Sequence, residues 1–177
     1  MRGTCKLKGT VYWITGLSGA GKTTIGKLLY RRLKQEKENV LFLDGDILRE
    51  VYGNDLGYSK EERLKGAMRN SRMCQMISNQ NVDVVCCTIS MFDKVRQWNR
   101  KNIENYQEIF LDVPLEILKQ RDQKGLYTDV QLGYTKNIVG MDLKLEIPQS
   151  SDIILINDGN RNEQQIFEEL KQKLNLK

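Results

Sequence analysis

Five short apolar runs punctuate the chain, at residues 11–15, 40–43, 82–89, 108–113 and 152–156, and each is nearly continuous rather than alternating. Unbroken apolarity of that length predicts strands buried on both faces. Between the runs, apolar positions recur at helical spacing over about 22–37, 60–80, 94–105, 114–123 and 162–173. A strand-then-helix rhythm repeated in this way specifies a five-stranded parallel sheet with helices packed on its faces. Residues 124–151 are polar and only weakly periodic. A connection that long inside a compact domain is more often functional than slack, and a lid is expected over about 124–147.

Composition narrows the chemistry. With 177 residues, 40% hydrophobic and 29% charged, the chain suits one α/β domain, residues 1–177, with one site. Histidine is absent, which excludes a Ser-His-Asp triad, histidine-ligated zinc and an imidazole base. The net charge of +5 is spread by interleaving, as in Arg31, Arg32, Lys34, Glu36, Lys37 and Glu38. That pattern marks solvated helix faces and a small polyanionic substrate rather than nucleic acid. No apolar stretch is long enough to span a bilayer, so no membrane partner and a cytoplasmic location are expected. The cysteines Cys5, Cys74, Cys86 and Cys87 lack metal-site or scaffold spacing and are expected to be reduced and buried.

The first apolar run leads directly into Gly16, Leu17, Ser18, Gly19, Ala20, Gly21, Lys22, Thr23 and Thr24. This is the G-x-x-x-x-G-K-[ST] pattern between a strand and a helix, the context a phosphate-binding loop requires. Glycines let successive backbone N–H groups curl round a polyphosphate, the lysine reaches the outer phosphates, and the hydroxyl of Thr23 suits magnesium. The following helix points the positive end of its dipole at the same anion.

In open parallel sheets functional groups gather at the carboxyl ends of the strands. The second run ends in Asp44-Gly45-Asp46, the third in Ser90, and the fourth leads through Pro114 to Arg121. Two carboxylates beside a phosphate loop imply a metal: one orients magnesium, the other accepts a proton from an acceptor hydroxyl. Asp46 is the favoured base and, with Thr23, a candidate metal contact. Asp-Gly is equally a turn, with Asp46 capping a helix from about Ile47. Arg49 lies one helical turn beyond Asp46 and can clamp an anionic substrate group. Arg63 and Arg69 are either further anion contacts or solvated helix charge.

Leu43-Asp44-Gly45-Asp46 with Arg49, Gly57-Tyr58-Ser59 with Arg63, Ile89-Ser90, Asp112 to Glu116, Arg121-Asp122, Lys124-Gly125-Leu126-Tyr127 and Lys136-Asn137 before Gly140 together resemble the adenylylsulfate (APS) kinases in order and spacing. The resemblance implies a P-loop NTPase fold of the nucleoside-monophosphate-kinase kind. It implies transfer of phosphate from MgATP to the ribose 3′-hydroxyl of APS. On that footing Lys22 stabilises the transferred group, Asp44 and Asp46 organise magnesium and acceptor, and Arg49 and Arg63 hold the acceptor's phosphosulfate-like end. Ile89 and Ser90 contact the acceptor, Lys124, Gly125, Leu126 and Tyr127 begin the lid, and Arg121 faces the ATP phosphates. The resemblance also implies a homodimer. Direct in-line transfer needs no phosphorylated Ser90.

Departures from the family pattern cluster on the acceptor side. One wall of the expected aromatic clamp is Tyr58, but the other is Ile138; Gly66 and Met68 replace an expected asparagine and arginine; and Met91 follows Ser90 where proline is usual. Losing one stacking wall costs about 1–3 kcal/mol unless other packing replaces it. A second acceptor is therefore in view, a cytidine nucleotide such as cytidine diphosphoramidate. A non-catalytic nucleotide-binding module would lack Asp44, Asp46, Arg121 or Lys124, and all four are present.

Overall fold

The computed structural model describes residues 7–121 and 146–176. Five strands form one sheet in the order β2-β3-β1-β4-β5. They are β1 (Thr10–Thr15), β2 (Val40–Asp44), β3 (Asp83–Cys87), β4 (Asn105–Asp112) and β5 (Ile153–Ile156). All neighbours pair in parallel, so every carboxyl end opens on one rim. The helices are α1 (Lys22–Lys34), α2 (Gly45–Val51), α3 (Lys60–Ser78), α4 (Asp93–Asn102), α5 (Leu115–Arg121) and α6 (Glu163–Lys173). This is the α/β architecture the apolar runs imply, with element ends moved by a few residues.

Period-two geometry divides the core. Tyr12 and Ile14 of β1 face one layer with Ile25, Leu29 and Leu33 of α1 and Ile166 and Leu170 of α6. Val11 and Trp13 face the other, with Ala67 and Cys74 of α3 and Val95 of α4. The central strands are buried on both faces, as continuous apolarity requires. The edge strands differ: on β2 only Val40 is buried, and β5 alternates buried and open positions. Leu41 is 45% and Ile156 54% exposed. Apolarity alone does not show whether a strand has a neighbour on each side and a helix over each face.

Polar ties brace the sheet's far side. Glu108 on β4 is fully enclosed, and its carboxylate accepts from Arg100 of α4 at 3.1 Å and from Ser151 at 3.2 Å. Burial raises its pKa, against the pull of Arg100 and Arg96. The Asp152 carboxylate, just before β5, accepts from the Glu108 backbone N–H at 2.7 Å and from Arg100 at 3.1 Å. These bonds fix the register of an edge strand that hydrophobic burial specifies weakly.

Candidate active site

The phosphate loop is held open from behind. Gly21 sits at φ +91° as the N-cap of α1, a left-handed conformation that favours glycine. The Lys22 ammonium donates to the Leu17 carbonyl at 2.7 Å, so the cation lies across the loop. Leu17 packs against the core and Ala20 is fully buried, anchoring the loop by its apolar positions. Gly26, a turn into α1, allows the helix to approach β3: a Cβ there would overlap the Cys87 sulfur. That thiol donates to the Lys22 carbonyl at 3.2 Å.

Two carboxylates face the loop, and their geometry separates them. Asp44 ends β2 and is the N-cap of α2, accepting from the Asp46 backbone N–H at 2.9 Å. Its other oxygen accepts from the Thr23 hydroxyl at 2.7 Å. The helix therefore begins at Gly45 with Asp44 as its cap, rather than near Ile47 with Asp46. Capping by Asp44 satisfies an N–H of the first turn, and Asp46 lines the cavity. Among the described residues no cluster of three His, Cys, Asp or Glu side chains could cage a metal. A magnesium ion carried by nucleotide phosphates needs only a hydroxyl and a nearby carboxylate, and Thr23 with Asp44 fits that requirement.

One cavity of about 300 Å³ is lined by these groups together with Arg49 and Arg63. On the loop side its wall includes Ser18, Gly19, Gly21, Lys22, Thr23 and Thr24. Asp44, Asp46, Arg49, Tyr58, Arg63, Ile89 and Ser90 line it as well. Residues from four separate segments thus line one cavity. Gly16 lies at the base of the loop, where a Cβ would crowd the Leu111 carbonyl. Lys124, Gly125, Leu126, Tyr127 and Ile138, with nearly all of the expected lid, lie outside the described residues.

The segment 55–63 is built by its own polar groups. A capping box starts α3: Ser59 Oγ accepts from the Glu62 N–H at 3.3 Å, and Glu62 accepts from the Ser59 N–H at 3.2 Å. The Glu62 carboxylate also accepts from the Gly57 N–H at 2.9 Å. Bonds from the Ser59 side chain and the Gly57 and Ser59 N–H groups hold its pKa below the usual range. Asp55 and Arg69 form a two-pronged ion pair at 2.7 and 2.8 Å, which lowers the Asp55 pKa. Arg69 is thus committed to bracing this segment, with its guanidinium 5.6 Å from the Tyr52 ring.

Arg49 donates to the carbonyls of Leu56 and Gly57, and Arg63 Nε to that of Tyr58 at 2.9 Å. Both guanidinium groups lie over the Tyr58 ring, 4.3 and 5.1 Å from its centre. Tyr58 is 56% exposed at the cavity mouth, so its ring presents cations as well as a stacking surface.

Two residues absent from the sequence reading complete the site. Asn157, just past β5, donates from Nδ2 to the Ala20 carbonyl at 3.2 Å and accepts from Arg121 at 2.9 Å. It ties the phosphate loop to the arginine at the end of α5. Its signal was position alone, at the carboxyl end of the fifth strand. Asn70 of α3 lines the cavity and is 7% exposed. Its signal was helical spacing, seven residues after Arg63 on the same face.

Phosphate loops of this design also serve ATPases and GTPases, which need room only for water beside the nucleotide. Here the cavity beside the loop and the carboxylates also takes in Arg49 and Arg63, and the class it defines is a P-loop kinase that transfers phosphate to a hydroxyl group. A sequence profile described as adenylylsulphate kinase matches residues 8–156, and the chain belongs to the adenylylsulphate (APS) kinase family. It is 38% identical over 166 residues to cytidine diphosphoramidate kinase of Campylobacter jejuni, covering 94% of this chain and 96% of that one. It is 37% identical over 169 residues to adenylyl-sulfate kinase of Halothermothrix orenii, covering 94% and 91%. The Mycobacterium tuberculosis APS kinase solved with AMPPNP and APS superimposes with a TM-score of 0.87 at 30% identity, over 95% of this chain and 98% of that one.

Proposed function

We propose that the protein transfers the terminal phosphate of magnesium-bound ATP to the ribose 3′-hydroxyl of a nucleotide whose 5′-phosphate carries a small acidic group. The supporting observation is the pairing of two carboxylates at the phosphate loop: Asp44 is engaged by the Thr23 hydroxyl, and Asp46 lines the same cavity. Asp46 takes the proton of the 3′-hydroxyl as its oxygen bonds to the γ-phosphorus, and the bond from that phosphorus to the β-phosphate oxygen breaks to release ADP. Lys22 and the loop N–H groups neutralise charge on the transferred group. Magnesium, held by Thr23 and Asp44, would supply further charge neutralisation. Arg49 and Arg63 exchange the carbonyls of residues 56–58 for the acceptor's anionic end, so binding reshapes the segment that carries Tyr58.

Two acceptors meet that description. APS is the one the family resemblance implies. Cytidine diphosphoramidate is the one that the Campylobacter jejuni relative's name implies, and the wall of α3 favours it. A Cβ at Gly66 would meet only Leu56 Cδ1 at 3.5 Å, so the glycine leaves open wall where the family pattern has a hydrogen-bonding side chain. A lid over 124–147 carrying Ile138, action of residues 1–177 as one domain, a homodimer and a cytoplasmic location belong to the same reading. Among the described residues, no helix is long and apolar enough to cross a membrane.

Steady-state turnover with MgATP and each acceptor, with the product's phosphate located by NMR, tests the proposal. The expected result is 3′-phosphorylation with a more than tenfold preference for the cytidine compound. An equal preference for APS would return the assignment to the sulfated nucleotide. ATP binding with no turnover on any acceptor would leave only a nucleotide-binding module.

A further inference from the structure

Two buried polar atoms on the cavity wall lack partners among the described residues. Asn70 Oδ1 and Ser90 Oγ make no hydrogen bond there, although their residues are only 7% and 5% exposed. Buried polar atoms are normally paired, and an unpaired one on a cavity wall marks where a ligand supplies the partner. Tyr52, on the same wall, does not supply it, because its hydroxyl points to Met73 Sδ at 3.7 Å.

The position of Asn70 indicates which part of the ligand it meets. Arg63, Gly66 and Asn70 lie on one face of α3, with Arg63 and Asn70 about 10 Å apart along the axis. The bare Gly66 backbone lies between those two side chains, where a Cβ would meet only Leu56 Cδ1 at 3.5 Å. On the kinase reading, a group attached to a phosphate held by Arg63 can extend along this face towards Asn70. The unpartnered atom there is an acceptor, so it requires a donor. Sulfate and ionised phosphate oxygens are acceptors only; an amide nitrogen on phosphorus carries N–H donors.

We propose that Asn70 is a specificity-determining residue that accepts a hydrogen bond from the P–NH2 group of a phosphoramidate-terminated acceptor, with the Ser90 hydroxyl donating to an oxygen on the same phosphorus. This rests on the kinase reading above and narrows its acceptor. A site built round such a bond rejects the analogue that lacks it, because the buried acceptor is left unpaired.

The test compares cytidine diphosphoramidate with cytidine diphosphate, which differ only in the terminal –NH2, for the unaltered enzyme and for Asn70→Leu and Asn70→Asp. The unaltered enzyme should prefer the amidate by about tenfold or more in kcat/KM. Asn70→Leu should bring the two acceptors within about twofold of each other. Asn70→Asp, which keeps the acceptor oxygen and adds charge, should widen the preference by discriminating against the more anionic diphosphate. A purely structural role lowers both acceptors together and leaves the ratio standing. An unchanged ratio in both variants overturns the assignment while the kinase reading stands. So does equal use of both acceptors by the unaltered enzyme, or a loss of discrimination between cytidine and uridine acceptors instead. Turnover of neither compound by the unaltered enzyme overturns the kinase reading and this assignment together.

Discussion

The Thr23 hydroxyl donates to the Asp44 carboxylate at 2.7 Å, joining the first turn of α1 to the end of β2. The bond joins the two groups to which the proposed function gives magnesium. Asp44→Asn removes the charge assistance from that bond and should lower kcat while raising the magnesium concentration needed for half-maximal rate. Asp46→Asn removes the proposed base and should lower kcat by about 10²–10⁴-fold with the KM for ATP unchanged. Steady-state rates over a magnesium series distinguish the two variants; identical profiles would contradict the division of roles.

Asn157 bridges Arg121 and the Ala20 carbonyl, so it acts on phosphate binding through other residues. Asn157→Ala strands a buried carbonyl and frees Arg121, at a cost of about 1–3 kcal/mol. The expected outcome is a severalfold rise in the KM for ATP with little change in the KM for the acceptor. Thermal unfolding with and without ATP checks the stability part.

The segment carrying Tyr58 depends on two ionised carboxylates. Asp55 and Glu62 both have pKa values lowered from the ordinary 3.8 and 4.5 by hydrogen bonds to the charged form. A lowered folded-state pKa means that the unfolded chain binds more protons in that range, so stability falls as pH falls. Their contribution is complete above about pH 4.5 and is lost as acid titrates them through their lowered values. Unfolding temperature measured from pH 7 to 3 should drop over this range. In Arg69→Ala the Asp55 part of the drop should disappear.

Burial controls thiol chemistry. Desolvation pushes the Cys87 thiol up to about 12, with the nearby Asp44 carboxylate adding to the effect. Cys86 is raised well above 9.0 by its neighbour Cys74 and by burial. Because the thiolate is the reactive form, Cys86 and Cys87 should resist alkylation at pH 8 in the native protein and react once it is unfolded, and Cys74 is shielded by its complete burial. Peptide mapping after labelling reads each site. Rapid native labelling of Cys87 would show that α1 does not stay packed on β3.

Ser90 is buried at the acceptor wall with a hydroxyl assigned here to the ligand. Direct in-line transfer leaves it unmodified, so intact-mass measurement after incubation with ATP alone should show no added phosphate. Stoichiometric phosphate on Ser90 would instead require a covalent intermediate.

Much of this was legible in the chain because it is local. Continuous apolar runs alternating with helical spacing specify a parallel α/β sheet, and the phosphate loop is a contiguous string whose glycines, lysine and threonine each have a geometric reason. Parallel strands also bring their carboxyl ends to one rim, which placed Asp46, Arg49 and Ser90 near Lys22 before any coordinates. What only the tertiary structure decided are relations between distant segments. It set Asp44 rather than Asp46 against Thr23, committed Arg69 to Asp55, left β2 and β5 as half-open edges, and brought Asn157 to the phosphate loop and Asn70 to the acceptor wall. Spacing along a chain determines which residues share a helix face or strand face. Which of two neighbouring carboxylates turns inward, and which buried amide is left without a partner, depends on atoms contributed by other elements packed within a few ångströms.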